Sequence, residues 1–309
     1  MNHLNLLSYC TALVLLAGSL SAQTPITINP AVVTRHGPER GTLLIIGGNV
    51  GSNEAIWKKF TALAGGADKA VVLVVTAAVG DAAGTDQADV LEVKKQTGIK
   101  NVTLLHPANL AEANSEKFTD AIRKATAIYF VGGRQWRIAD AYLNTLAHQA
   151  FFDLLGRGGV IAGSSAGATI QGSFLWRGDT RGAEVLVGDH TQGLGFLKNS
   201  VIDQHLLVRN RQFDLVSLVK FSPELIGLGL DEATAVVVHR DTMEVIGKSY
   251  VAVYDYDSMN GIRGTARSDS ANTRAAIPFF FLHAGQRYDL KNRRIIPPVP
   301  ANKPVPGME

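Results

Sequence analysis

The chain has almost no sulfur chemistry to offer: of its 309 residues only Cys10 is a cysteine, and it lies within an apolar N-terminal stretch. A disulfide framework is therefore excluded, and so is a thiol nucleophile in the body of the protein, leaving packing to supply its stability. Neither acids nor bases dominate, since the formal net charge is only +3. The basic residues cluster only at Arg209 with Arg211 and at Lys291, Arg293 and Arg294, which is no stripe for a phosphate backbone, so no nucleic-acid partner is expected. There is no internal repeat and no second membrane-spanning run.

The first 22 residues contain no Asp, Glu, Lys or Arg, and an apolar run at 13–16 gives way to small residues ending Ser21-Ala22. This pattern predicts a secretory signal, hence a secreted or periplasmic protein with no stable membrane insertion once the signal is removed. Proline concentrates at the other end, where 297–309 reads as an extended tail without a core-forming pattern. Between them, 23–296 is expected to form a single α/β domain. At 46% hydrophobic residues it can bury a large core.

Apolar runs at 42–46, 70–76, 102–105, 127–131 and 160–162 alternate with amphipathic stretches at 53–64, 87–97, 116–124 and 137–155. Strands that are apolar on both faces and separated by helices predict a mostly parallel, doubly wound sheet with helices on both faces. Thr85 and Ser115 stand near helix starts and Gly98 follows a helix end. The second half carries further strand patterns at 200–202, 226–230, 234–238 and 250–256. Four strand ends hold unusual residues: Gly47-Gly48-Asn49, Gly132-Gly133-Arg134-Gln135, Gly163 to Ala168, and Asp203-Gln204-His205. Sites in open α/β sheets gather at such carboxyl ends, and the convergence depends on no single motif.

Gly163-Ser164-Ser165-Ala166-Gly167 is a G-x-S-x-G segment running from a strand into a helical pattern. In a nucleophile elbow small residues permit the sharp turn, and the central serine, here Ser165, is held exposed in strained backbone. Backbone N–H groups beside it can stabilise an oxyanion, so the chemistry expected is acyl transfer. A Gly/Ser/Ala turn can also bind phosphate or simply allow close packing. A serine hydroxyl needs a base, and His205, at a strand end where charge density rises, is the best placed of the eight histidines. A carboxylate must then orient the imidazole. Glu184, Asp203, Asp231 and Glu232 are candidates, with Glu184 preferred.

Taken in order, Gly132-Gly133-x-Gln135, Gly163 to Ala168, Asp203-Gln204-His205-x-x-x-Arg209-x-Arg211 and Gly229 to Ala235 resemble the cyanophycinase family. These are serine exopeptidases related to dipeptidase E, with a flavodoxin-like, class I glutamine-amidotransferase-like fold. The resemblance spans about 42–256. It implies a homodimer that cleaves cyanophycin, a polyaspartate with arginine on each β-carboxyl, to β-Asp-Arg dipeptides. It further implies Ser165 as nucleophile, His205 as base and Glu184 as third member, with oxyanion donors at Gly133 and Ala166. Gln135, Asp203, Gln204, Arg209 and Arg211 would line the pocket, the bland alternative being an internal ion-pair network. No metal or other cofactor is expected. Two positions depart from the family pattern. Arg134 replaces the acid of Gly-Gly-Asp-Gln, and Asp214 stands where Arg-x-Arg-x-x-Arg has its third arginine. These departures favour small α-aspartyl dipeptides as an alternative substrate. A non-catalytic module of the same fold, and an esterase using Asp231 or Asp257 with His283, complete the alternatives.

Overall fold

Runs of valine, leucine and isoleucine with no polar interruption need cover on both faces of a sheet. In a computed structural model, which describes residues 36–80, 85–107, 109–260 and 277–298, the first half of the chain folds in that way. The expected signal at 1–22 and all but the start of the tail lie outside the described residues.

From the start of the described chain, β1 (Thr42–Ile46), α1 (Glu54–Leu63), β2 (Val71–Val75), α2 (Ala88–Thr97), β3 (Asn101–Leu105), α3 (Leu110–Ala113), α4 (Glu116–Lys124) and β4 (Ala127–Phe130) follow one another. Next come α5 (Gln135–Tyr142), α6 (Leu146–Gly156) and β5 (Val160–Ser164). Strands β3, β2, β4, β5 and β1 lie side by side in that order and all pair in parallel. Residues of β4 and β5 are buried throughout, which requires cover on both sheet faces because neighbouring side chains point to opposite sides.

The stretch 137–155, expected as one helix, is two. Asn144 adopts a positive φ of 61°. Thr145 then caps the next helix by accepting a hydrogen bond from the His148 N–H, which satisfies an otherwise orphaned donor. Ser115 caps α4 likewise, and Gly98 closes α2 in the left-handed conformation. Thr85 caps nothing; Asp86 Oδ1 accepts from Ala88 N instead.

After α7 (Ala166–Thr169) the chain forms β6 (Gly172–Phe174), β7 (Leu197–Gln204), α8 (Asp214–Phe221), β8 (Ile226–Leu230), β9 (Thr234–His239), β10 (Thr242–Gly247), β11 (Tyr250–Tyr254), α9 (Tyr256–Met259), β12 (Phe280–His283), β13 (Arg287–Asp289) and β14 (Arg294–Ile296). These strands divide between two sheets. β9, β10, β13 and β14 extend the first sheet from β1 in antiparallel fashion, making nine strands, while β12-β11-β8-β7-β6 form a separate five-stranded sheet. The second sheet sits between two apolar clusters. Ile202, Val251 and Val253 face the main core, whereas Val201, Ala252 and Tyr254 pack with Trp176, Leu215 and Val219. Strand alternation produces this split, and each large apolar side chain so buried contributes roughly 1.5–3 kcal/mol.

Candidate active site

The turn from β5 into α7 is possible only because its flanking residues lack side chains. A Cβ on Gly163 would overlap the Gly167 carbonyl, and one on Gly167 would overlap the Phe130 carbonyl. Between them Ser165 takes φ 57° and ψ −114°, a conformation that costs on the order of 1–3 kcal/mol for a non-glycine residue. Its own N–H is tied to Ile46 O at 3.0 Å. Backbone pairing with β1 thus holds the serine at the strand ends.

His205 arrives from the second sheet, one residue past β7. Its N–H donates to Gly47 O at 2.8 Å and its φ is 54°. The imidazole lies over Gly48, where a Cβ would come within 2.7 Å of Nδ1. Glycine is therefore required for the ring to sit there. Nε2 is 2.9 Å from Ser165 Oγ.

The carboxylate on the other ring nitrogen is Glu232, with Oε1 2.7 Å from His205 Nδ1. Asn49 Nδ2 donates to the second oxygen at 2.8 Å. Glu232 reaches this place because the β8–β9 loop is stitched to the end of β1: Gly47 N bonds Thr234 O and Ala233 N bonds Gly48 O. Burial lowers the His205 pKa below its ordinary 6.5, an effect the Glu232 hydrogen bond partly offsets. The Asn49 bond and then that of His205 hold Glu232 below the usual glutamate value. A neutral base and an ionised carboxylate are the states that proton abstraction requires.

The preference for Glu184 is corrected. Its side chain is 88% exposed and stands 3.7 Å from Arg211 and 4.0 Å from Arg177. Both ring nitrogens of His205 are already engaged, Nε2 by Ser165 and Nδ1 by Glu232, and Glu184 contacts neither. Asp231, also considered, accepts from Leu207 N, Val208 N and Ser249 Oγ, which anchors the turn after His205. The histidine on the serine is His205, and His283 is exposed with its Nδ1 at the Ala284 carbonyl.

The residues expected to line a pocket are mostly bonded to one another. Asp203 is fully buried and accepts from Arg177 Nε at 3.0 Å, Arg177 Nη2 at 3.2 Å, Trp176 Nε1 at 3.2 Å and the Gln204 N–H at 2.9 Å. Arg211, buried too, donates to the carbonyl and the side-chain oxygen of Gln204. Gln135 is spent on the carbonyls of Trp176 and Arg177. Arg209 alone of the set is exposed. Asp214 pairs with Arg177, and Arg134 donates to Asp179 O at 2.7 Å. Burial opposes the charge on Arg177, yet the bonds to Asp203 and Asp214 raise its pKa on balance.

No motif points to Arg177, whose signal in the sequence is an arginine directly after the apolar run Phe174 to Trp176. Asn49 belongs to the strand-end segment Gly47-Gly48-Asn49 expected at the site, but its bond to Glu232 is not readable there. Ala166 directly follows Ser165, while Gly133 stands against the Ala78 carbonyl in the turn after β4. The Gly132-Gly133 turn is close, with a Cβ on Gly132 falling 3.7 Å from Ser165 Oγ, and Ala166 opens α7. Among the described residues no group of three or more His, Cys, Asp or Glu is arranged to hold a metal ion.

A family model, peptidase family S51, matches residues 43–246. The cyanophycinase of Geminocystis herdmanii (strain PCC 6308) is 27% identical over 263 residues, covering 82% of this chain and 96% of that protein. That of Synechococcus elongatus is 28% identical over 228 residues, 72% of this chain and 70% of its own. A solved peptidase from an acI-B1 Actinobacterium superposes with a TM-score of 0.54 at 23% identity, over 82% of this chain and 98% of that one, and so shares the fold.

Proposed function

This chain belongs to peptidase family S51 and is a serine-type peptidase, and within that family we propose that it acts through Ser165, His205 and Glu232 as an exported exopeptidase on cyanophycin. The observation that carries the reading is the continuous chain of contacts from Ser165 Oγ through the imidazole to Glu232, at 2.9 Å and 2.7 Å. His205 Nε2 takes the serine proton as Oγ attacks the scissile carbonyl, while Nδ1–H donates to Glu232 and so fixes the tautomer. The N–H groups of Gly133 and Ala166 receive the oxyanion. The proton then passes from Nε2 to the leaving amine, which departs, and a water molecule repeats the sequence on the acyl-enzyme to free the acyl fragment. One backbone peptide bond is thereby hydrolysed, and β-Asp-Arg is one of the two products. Export rests on the signal-like first 22 residues.

Small aspartyl dipeptides are the second reading. Asp214, where an arginine was expected, is committed to Arg177 and supplies no cation for the carboxylates of a polymer. Incubating the purified protein with cyanophycin granules, α-aspartyl dipeptides and a p-nitrophenyl ester separates the readings: release of β-Asp-Arg from granules supports the first, while cleavage of α-aspartyl dipeptides alone supports the second. Ester cleavage alone contradicts both.

A further inference from the structure

A substrate bearing arginine needs an acidic acceptor, and Asp203 is not free to be one. It is fully buried and already accepts four hydrogen bonds, two of them from Arg177. A second carboxylate, Asp89, lines a separate cavity beside the residue that precedes Ser165. This cavity of about 230 Å³ is lined by Asn49, Trp57, Asp89, Tyr129, Gly132 and Ser164 among others. Since one water occupies about 30 Å³ of liquid, this is room for a side chain rather than a solvent molecule.

The cavity shares walls with the catalytic groups. Ser164 precedes Ser165, Gly132 approaches the Ser165 hydroxyl, and Asn49 holds Glu232. Trp57 and Tyr129 pack with ring centroids 5.5 Å apart, giving an aromatic flank. Asp89 lies in the first turn of α2, half-buried, and among the described residues no donor or cation is paired with it. Burial and the neighbouring charge of Asp86 raise its pKa, as befits a carboxylate lacking a counter-ion. Glu92, the other acid on this wall, is bonded to Gln96 and lies 3.8 Å from Lys95. Asp89 is therefore the acid left for a ligand.

We propose that this cavity is the subsite for a cationic substrate side chain, with Asp89 as ion-pair partner and Trp57 and Tyr129 as the aromatic flank. A guanidinium suits both elements, since it pairs with a carboxylate through directed N–H bonds and stacks on aromatic rings. The assignment rests on the reading of the substrate as an aspartyl-arginine peptide. It places the recognition of arginine on α2, apart from the Asp203 network.

The test uses binding, so that it does not depend on turnover. In the Ser165→Ala chain, β-Asp-Arg and β-Asp-Leu are titrated by calorimetry, with and without Asp89→Asn. The expected result is a preference for β-Asp-Arg of roughly 10- to 100-fold, as one charge-assisted contact supplies, which collapses to within a few fold when Asp89 is changed. Asp89→Glu should restore part of it. No preference in the Ser165→Ala chain, or a preference that survives Asp89→Asn, overturns the subsite. Failure of the native chain to release β-Asp-Arg from granules overturns the substrate reading instead, and the two failures are thereby told apart.

Discussion

His205 Nδ1 lies 2.7 Å from Glu232 Oε1, and the same carboxylate takes a second hydrogen bond from Asn49. Glu232→Gln should lower kcat by about 10²–10⁴-fold, because an amide presenting its NH₂ group favours the wrong imidazole tautomer. Glu184→Gln should change kcat by no more than a few fold. Steady-state kinetics on the same substrate check both, and the reverse ranking would restore Glu184 as the orienting acid.

Gly48→Ala tests the packing beneath the imidazole. A methyl group there would sit 2.7 Å from His205 Nδ1, at a backbone φ of +129° that L side chains rarely adopt. The ring must move, and a displacement of even 1 Å costs about 10²-fold in rate. The expected outcome is a folded protein by circular dichroism with at least that loss of kcat/KM. Undiminished activity would mean that His205 does not act from this position.

Much of this arrangement was legible in the residues, and the rest was not, for a physical reason. The uninterrupted apolar runs identify the parallel strands, and the Gly163 and Gly167 spacing identifies the elbow, because both are local requirements of backbone and packing. Glu232 was readable only as one of four acids. Its place beside His205 depends on β9 pairing antiparallel with β1 and on the Ala233 N–H reaching Gly48 O, contacts between segments far apart in the chain. The separation of β7, β8 and β11 into a second sheet is of the same kind, since alternation along a strand does not say which sheet it joins. The helix break at Asn144 needed the cap formed by Thr145 to be recognised.

Arg177 should be a stability residue. Its guanidinium is buried on Asp203, and Arg177→Met would remove the counter-ion hydrogen-bonded to that carboxylate, leaving only Arg211 at 3.7 Å, a loss of about 3 kcal/mol, the low end for a buried pair. Thermal denaturation should show a Tm fall on the order of 10 °C. Asp214→Arg would set a second guanidinium against Arg177, so lower stability and no gain on cyanophycin are expected. A gain in turnover would show instead that position 214 faces the substrate.

The pH profile follows from the sign of the His205 shift. Burial lowers its pKa below the ordinary 6.5, so the neutral base persists to a lower pH than a solvent-exposed histidine allows. The kcat/KM of the free enzyme should therefore be level near neutrality and fall on the acid side with a midpoint below 6.5. A midpoint above 7 would assign the limb to another group.

Nucleophile and base acting as one unit is the central claim, and kcat/KM for Ser165→Ala, His205→Ala and the double variant tests it most directly. Each single change should cost about 10³-fold or more, with the double scarcely worse than either, because removing one member already disables the other. Losses that multiply in the double variant, or a Ser165→Ala protein that keeps most of its activity, would contradict it.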